Sequence, residues 1–248
     1  MSMDEIGAGE AHLWYAIAEE VSEPGHVAVL ESLLTPDERA RQLRYRFAED
    51  RHRFLVARGL LRWTLARYLG LSPEGLRFGA TARGKPTLQP GLESAPSSIP
   101  LRFNLSRTRR VAACVVAIDG DIGVDVEDRS RLGNVEEIAR AFAPSEQEEL
   151  RATGGELRKD RFLTYWTLKE AYVKARGDGL AIPLDSFAFT LAPPAPPTIA
   201  FGPGAPDDPA DWRFAHLNLT EDHVAAVALC TRQVLKLIVR RTIPFARP

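Results

Sequence analysis

The chain has 248 residues, room for one large domain or two of moderate size, and its 45% hydrophobic and 26% charged content is that of a globular protein with a real core. A formal net charge of −1 excludes binding nucleic acid by bulk attraction, so any anionic ligand must be held by a local basic cluster. The opening MSMDEIGAGE is acidic and has no apolar run, which does not read as a signal peptide, and VAACVVAI (111–118) is far too short to span a bilayer. With Cys114 and Cys230 in apolar, strand-like runs, the expectation is a reduced, cytoplasmic protein that binds neither membrane nor nucleic acid.

In chain order, HLWYAIAEE from His12 reads as a strand, and Thr35-Pro36 as a helix start with proline in the first turn. An arginine-rich helical region follows, continuing into RFLVARGLLRWTLARYLGL from Arg53. The stretch Gln89–Pro100 is rich in proline, glycine and serine and reads as a loop. FNLSRTRRVAACVVA from Phe103 is strand-like, and so is IGVDVED from Ile122. Ala143-Pro144-Ser145 is a second proline-marked helix start, and a long helix is expected from about Glu156 to Arg176, stopped by the glycines at 177 and 179. Strands at Ser186–Leu191 and Val224–Cys230 flank a second expected loop, Ala192–Asp211.

The chain echoes itself. LLTPDE ending at Glu38 resembles AFAPSE ending at Glu146, and RFLVARG from Arg53 resembles RFLTYWT from Arg161, both at an offset of 108 residues. FNLS from Phe103 is echoed by LNLT from Leu217, with Asn104 and Asn218 114 residues apart. Three echoes in one order predict internal duplication. The expected fold is therefore α+β, with two similar lobes related by a pseudo-twofold axis, each a small sheet packed with a long helix. The lobes are placed at 1–118 and 119–248.

A duplicated protein has a natural site in the cleft between its lobes. In DIGVDVED (121–128), alternation puts Ile122, Val124 and Val126 on one strand face and Gly123, Asp125 and Glu127 on the other. Carboxylates are unusual there; they read either as metal ligands or as charges guarding an edge strand. Glu170 and Lys174 share one helical face with Trp166 a turn earlier, which reads as a site or as a surface ion pair. Asp125, Glu127 and Glu170 together suit a hard cation such as Mg²⁺, whereas scattered histidines and the absence of a Cys-x-x-Cys pair exclude a familiar zinc site. If Mg²⁺ is present, its substrate is a phosphate, and the first half offers cations for one: Arg41, Arg53, the turn at Arg83 and Lys85, and Ser106 with Arg107 in NLSRTRR. Each of these also reads as a solvated face.

At GVDVE (123–127), WTLKEAYVK (166–174), GKP (84–86) and FNLS (103–106) the chain resembles the 4′-phosphopantetheinyl transferases of the long, pseudodimeric, surfactin-synthetase-activating type. The resemblance covers nearly the whole chain. It implies transfer of the 4′-phosphopantetheine arm of coenzyme A to a serine of an apo acyl or peptidyl carrier protein, releasing adenosine 3′,5′-bisphosphate. It further implies Mg²⁺ on Asp125, Glu127 and Glu170, with Glu170 also accepting the serine proton and Lys174 stabilising or protonating the leaving group. Arg41, Arg53, Lys85, Pro86, Ser106 and Arg107 are the implied coenzyme A contacts, and a monomer is implied because each lobe stands in for a subunit. Arg107 departs from the family, which usually has histidine there; arginine keeps the charge but does not act as an acid or base near neutral pH. The alternatives are a binding module without turnover and a Mg²⁺-dependent nucleotide pyrophosphohydrolase.

Overall fold

A computed structural model of the chain describes residues 4–89, 100–118, 120–130, 133–177, 179, 182–202 and 204–246. The first lobe opens with β1 (Glu10–Ile17), then α1 (Pro24–Leu33), α2 (Pro36–Leu43) and α3 (Ala48–Leu69). A hairpin of β2 (Phe78–Ala80) and β3 (Pro86–Leu88) precedes β4 (Arg102–Arg107) and β5 (Val111–Ala117). The second lobe repeats this plan with β6 (Ile122–Asp128), α4 (Val135–Ala139), α5 (Pro144–Ala152) and α6 (Gly155–Arg176). A second hairpin of β7 (Phe187–Thr190) and β8 (Thr198–Phe201) is followed by β9 (Trp212–Asn218), β10 (His223–Cys230) and β11 (Lys236–Arg241).

The sheets repeat as well. In the first, β1, β5 and β4 lie side by side and antiparallel; in the second, β6, β10 and β9 do the same. The architecture is the expected α+β pair of similar lobes. One addition breaks the symmetry: β11 pairs with β1 in parallel, so the last strand lies in the first lobe's sheet. Among the described residues no helix is long and apolar enough to cross a membrane.

Strand alternation distributes the core. On β5, Ala112, Cys114 and Val116 pack under α3, whereas Ala113 and Val115 face the other lobe. On β10, Ala226 and Ala228 pack with α6, whereas Ala225, Val227 and Leu229 face back. The back-facing residues meet Ile122, Val124 and Val126 of β6, so the two lobes share an apolar seam between their sheets. Burying both faces of β5 and β10 is what joins the lobes into one body.

The proline-marked starts are present. Thr35 caps α2, accepting from the Glu38 amide at 3.2 Å, while the Glu38 carboxylate accepts from the Thr35 amide at 3.0 Å. At α5 the Glu146 carboxylate likewise accepts from the Ala143 amide at 3.0 Å. The long helices end alike, on Gly70 (φ 65°) and Gly177 (φ 72°), a left-handed conformation that glycine adopts without strain.

The duplication extends to a buried ion pair. Glu38 is bound by Arg62 at 2.7 Å, and Glu146 by Lys169 at 2.7 Å; both cations are fully buried, and each stands eight residues before its helix's capping glycine. Arg62 also donates to the carbonyls of Pro73 and Leu76, and Lys169 to those of Leu184 and Phe187. In both lobes the pair ties the helix to the segment leading into the hairpin.

Two expectations are corrected. The stretch Ala192–Asp211 is not all loop: Thr198–Phe201 forms β8, because Ile199 and Phe201 alternate and pair with Phe189 and Phe187, and Pro209–Asp211 is a 3₁₀ turn. The Asn104 and Asn218 echo is out of step in space, since Asn104 lies in mid-strand on β4 while Asn218 ends β9. In register, Asn104 lies opposite Val115, well away from its hairpin turn, whereas Asn218 lies opposite Val224, beside its own. Most of the first expected loop (90–99) lies outside the described residues.

Candidate active site

The site begins with Gly123. A β-carbon there would stand 2.0 Å from the Ala171 carbonyl oxygen and 2.5 Å from the Ala175 nitrogen, so its lack of a side chain lets α6 lie directly on β6. That close approach brings the next residues of the same strand face, Asp125 and Glu127, beneath the helix residues Trp166, Glu170 and Lys174. Trp166 Nε1 donates to Glu127 Oε1 at 3.0 Å, and Lys174 Nζ lies 2.5 Å from Asp125 Oδ1. The spacing of four between Glu170 and Lys174 thus serves a site under the helix and not an exposed ion pair.

Opposite α6, the strand's free edge meets β4. The edge of β6 is closed by side chains in place of a neighbouring backbone: Asn104 Oδ1 accepts from the Val124 amide at 3.1 Å, and Ser106 Oγ from the Val126 amide at 3.3 Å. The Ser106 hydroxyl also donates to Asp125 Oδ1 at 3.1 Å and accepts from Lys174 Nζ at 3.0 Å. Ser106 therefore carries a first-lobe hydroxyl into the second lobe's acidic cluster. Asp125 is buried at 4% exposure, which rules out a solvent-facing guard charge.

The electrostatics follow from one cation among three carboxylates. Burial, followed by the charge of Asp125, pushes Glu170 above the usual carboxylate range, with Lys174 opposing and Glu127 adding to the rise. Glu127 is raised in the same way, by burial and then Asp125, against the Trp166 hydrogen bond and Lys174. Burial alone would lower Lys174, but Asp125, Glu170 and Glu127 outweigh it and hold the ammonium above the ordinary lysine value. Among the described residues no set of three His, Cys, Asp or Glu side chains stands ready around one point for a metal ion. Asp125 Oδ1 is instead paired with Lys174. The buried Asp125 Oδ2 has no hydrogen-bond partner among the described residues, and Glu127 and Glu170 stand beside it as further oxygen donors; this donor set fits the chemistry of a hard divalent cation.

The expected anion-binding residues of the first lobe are not brought together: Lys85 and Pro86 line an interlobe cavity, whereas Arg41, Arg53 and Arg107 stand apart from it. Arg41 is exposed in the last turn of α2, and Arg53, near the start of α3, pairs with Asp50 at 2.7 Å. Arg107, at the end of β4, donates to the Tyr45 hydroxyl at 2.7 Å. Gly84 (φ 85°) turns the β2–β3 hairpin, with Pro86 opening β3. Lys85 crosses to the other lobe, where Nζ donates to the Ala175 carbonyl at 2.6 Å, at the C-terminal end of α6. Lys85, Pro86, Arg102 and Arg176 line an interlobe cavity of about 450 Å³. Burial, less the pull of Asp121, lowers Lys85.

Among the described residues the first lobe has no such cluster at the matching helix positions. Seven and three residues before the capping glycine, α6 carries Glu170 and Lys174, whereas α3 carries Trp63 and Arg67. Trp63 meets Trp14 edge-on at 4.8 Å, and Arg67 lies over both rings and pairs with Asp4 at 2.8 Å. Aromatic packing fills the face that the second lobe reserves for carboxylates. Sequence reading missed Asn104 as the strand-edge cap, Trp166 as the donor to Glu127, and Tyr45. Asn104 lies within FNLS and Trp166 within the helical pattern; nothing local singles out Tyr45.

Fold and site define a class: a duplicated α+β protein with a carboxylate–lysine cluster in one lobe, reached by a serine of the other. Residues 22–118 match the family model described as 4′-phosphopantetheinyl transferase, N-terminal, and residues 121–228 that of the 4′-phosphopantetheinyl transferase superfamily. The chain is 37% identical over 221 residues to the 4′-phosphopantetheinyl transferase HetI of Nostoc sp. (strain PCC 7120), covering 89% of this chain and 87% of that one. It is 33% identical over 161 residues to the 4′-phosphopantetheinyl transferase Sfp of Bacillus subtilis (strain 168), covering 64% of this chain and 67% of that one. The human L-aminoadipate-semialdehyde dehydrogenase-phosphopantetheinyl transferase is 28% identical over 210 residues, covering 79% and 67%. The chain belongs to the 4′-phosphopantetheinyl transferase family and is an enzyme of that class.

Proposed function

We propose that the chain transfers the 4′-phosphopantetheine arm of coenzyme A to a serine of an apo acyl or peptidyl carrier protein, with Mg²⁺ held by Asp125, Glu127 and Glu170. The observation that carries this reading is the meeting of Lys174 with Asp125 and Ser106 beneath α6, beside Glu127 and Glu170. When bound, the ion supplies positive charge for the pyrophosphate oxygens. In the transfer, the serine oxygen forms a bond to the phosphorus next to the pantetheine arm, and the bond from that phosphorus to the bridging oxygen breaks, releasing adenosine 3′,5′-bisphosphate. Glu170 takes the serine proton, directly or through a water; burial and its negative neighbours make it a stronger base than an exposed carboxylate. Lys174, kept charged by Asp125, stabilises the leaving phosphate or donates a proton to it. Arg41, Arg53, Lys85, Pro86, Ser106 and Arg107 form the coenzyme A side of the cleft.

The chain acts as a cytoplasmic monomer divided at 118/119 save for β11, with the coenzyme A contacts in the first lobe and the metal ligands in the second. The test is intact mass of an apo carrier protein after incubation with this protein, coenzyme A and Mg²⁺, beside a run with Asp125→Ala. A gain of one phosphopantetheine, abolished in the variant, is expected. Coenzyme A binding without any gain on several carriers would indicate a binding module. Coenzyme A cleavage without a carrier would indicate the hydrolase.

A further inference from the structure

We infer that Tyr45 is a positioning residue for this reaction, holding Arg107 on the first-lobe wall ready for a phosphate of coenzyme A; this rests on the functional reading above. Along β4, Ser106 turns toward Asp125 and Arg107 takes the alternate direction, on the side of α2 and α3. There Arg107 Nη2 donates to the Tyr45 hydroxyl at 2.7 Å, and its guanidinium carbon lies 5.4 Å from the centre of the Tyr45 ring. The hydrogen bond fixes where the guanidinium points and keeps it beside the Tyr45 ring. The rest of the side chain is exposed, so N–H groups remain for a ligand.

Tyr45 is itself braced. It lies between α2 and α3, its amide donates to the Gln42 carbonyl at 3.1 Å, and its ring packs on Phe54 at 5.7 Å. Arg51 donates to the carbonyls of Tyr45 and Arg46 at 3.0 and 3.3 Å, which fixes the connection from both sides. An exposed arginine gives up rotamer freedom when it is immobilised on a ligand. An arginine already held before the ligand arrives has less left to lose, and binding is stronger by that difference. A long, exposed arginine needs such a support, and Tyr45 supplies it.

The experiment is a double-mutant cycle on the full chain with Tyr45→Phe, Arg107→Ala and the pair. It reads coenzyme A affinity by calorimetry, and kcat and KM in carrier modification. Tyr45→Phe keeps the ring and its Phe54 contact and removes only the hydroxyl. Expected is about a five-fold weaker Kd and higher KM for coenzyme A, the size of one net hydrogen bond. kcat should change less, and the variant should add nothing further in the Arg107→Ala background. The same loss in both backgrounds would overturn the inference, since Tyr45 would then be acting on the ligand or the fold by itself. No loss in the single variant would overturn it too. Wild-type carrier modification reports separately on the functional reading, because the calorimetric cycle still measures the Tyr45–Arg107 coupling if no carrier is modified.

Discussion

Gly123 and Ala171 approach so closely that a β-carbon on Gly123 would lie 2.0 Å from the Ala171 carbonyl oxygen, well inside any contact real atoms make. The obstacle is helix backbone, which has no rotamer to move out of the way. Gly123→Ala must therefore lift α6 from β6, carrying Glu170 and Lys174 away from Asp125 and Glu127. The expected stability loss is about 3 kcal/mol, at the upper end for overpacking. Activity should fall more than the folded fraction does, read by turnover beside the denaturation midpoint. A variant with native stability and turnover would show that the helix does not need this contact.

The buried pair of Lys169 and Glu146 is structural, so it separates stability from chemistry. Both side chains are fully buried, and Glu146 also accepts from the Phe189 amide at 2.8 Å. Lys169→Met leaves a buried carboxylate without its cation, which costs about 3–5 kcal/mol. Lys169→Arg should be tolerated better, because Arg62 fills the matching position in the first lobe. Urea denaturation of both variants checks this, and the arginine variant proving less stable than the methionine one would refute the equivalence.

Much of this was legible because the signals are local. The alternation through Asp125 and Glu127, the helical spacing of Trp166, Glu170 and Lys174, the prolines opening α2 and α5 and the glycine ending α6 each act within a few residues. What sequence reading missed depends on partners far along the chain. β11 pairs with β1 across more than two hundred residues, and Lys85 caps a helix of the other lobe. Asn104 and Ser106 close the edge of β6 only because the duplication lays β4 beside it. The Glu146–Lys169 pair was within reach: the Glu38 and Glu146 echo, with a cation equally far from each capping glycine, was a usable signal.

His216 gives the stability a pH dependence of known sign. Burial, reinforced by Arg129 and opposed by Asp160, lowers it to about 4. The folded protein keeps the ring neutral, whereas the unfolded chain takes up the proton near the ordinary histidine value of about 6.5. Stability from this group is therefore complete above about 6.5 and is lost as pH falls toward 4, by up to roughly 1.4 kcal/mol per pH unit. The raised carboxylates of the cluster work in the opposite sense, so the informative quantity is the difference between wild type and His216→Gln. Wild-type stability minus variant stability should fall, by roughly 2–3 kcal/mol, between pH 7 and pH 4.5 in urea titrations. A constant difference would mean that His216 titrates alike in both states.

Arg107 predicts what the wild type lacks. Arginine stays charged across the working range, so its grip on a phosphate does not titrate. Arg107→His places a group of ordinary pKa about 6.5 at the end of β4, near the Tyr45 ring. Below that value the imidazolium keeps its charge; above it the ring is neutral and its attraction for phosphate falls. Coenzyme A affinity of the variant, taken relative to the wild type at each pH, should therefore approach parity near pH 5.5 and fall by several-fold toward pH 8, the ratio cancelling the ionisation of the coenzyme A phosphate at about pH 6 that both proteins share. Because a bound phosphate favours the charged ring, the midpoint should lie above 6.5 in the complex. Calorimetry across that range decides it: parallel profiles for wild type and variant would mean that residue 107 does not touch the anion, and the coenzyme A contact would then have to be sought at Arg41, Arg53 or Lys85.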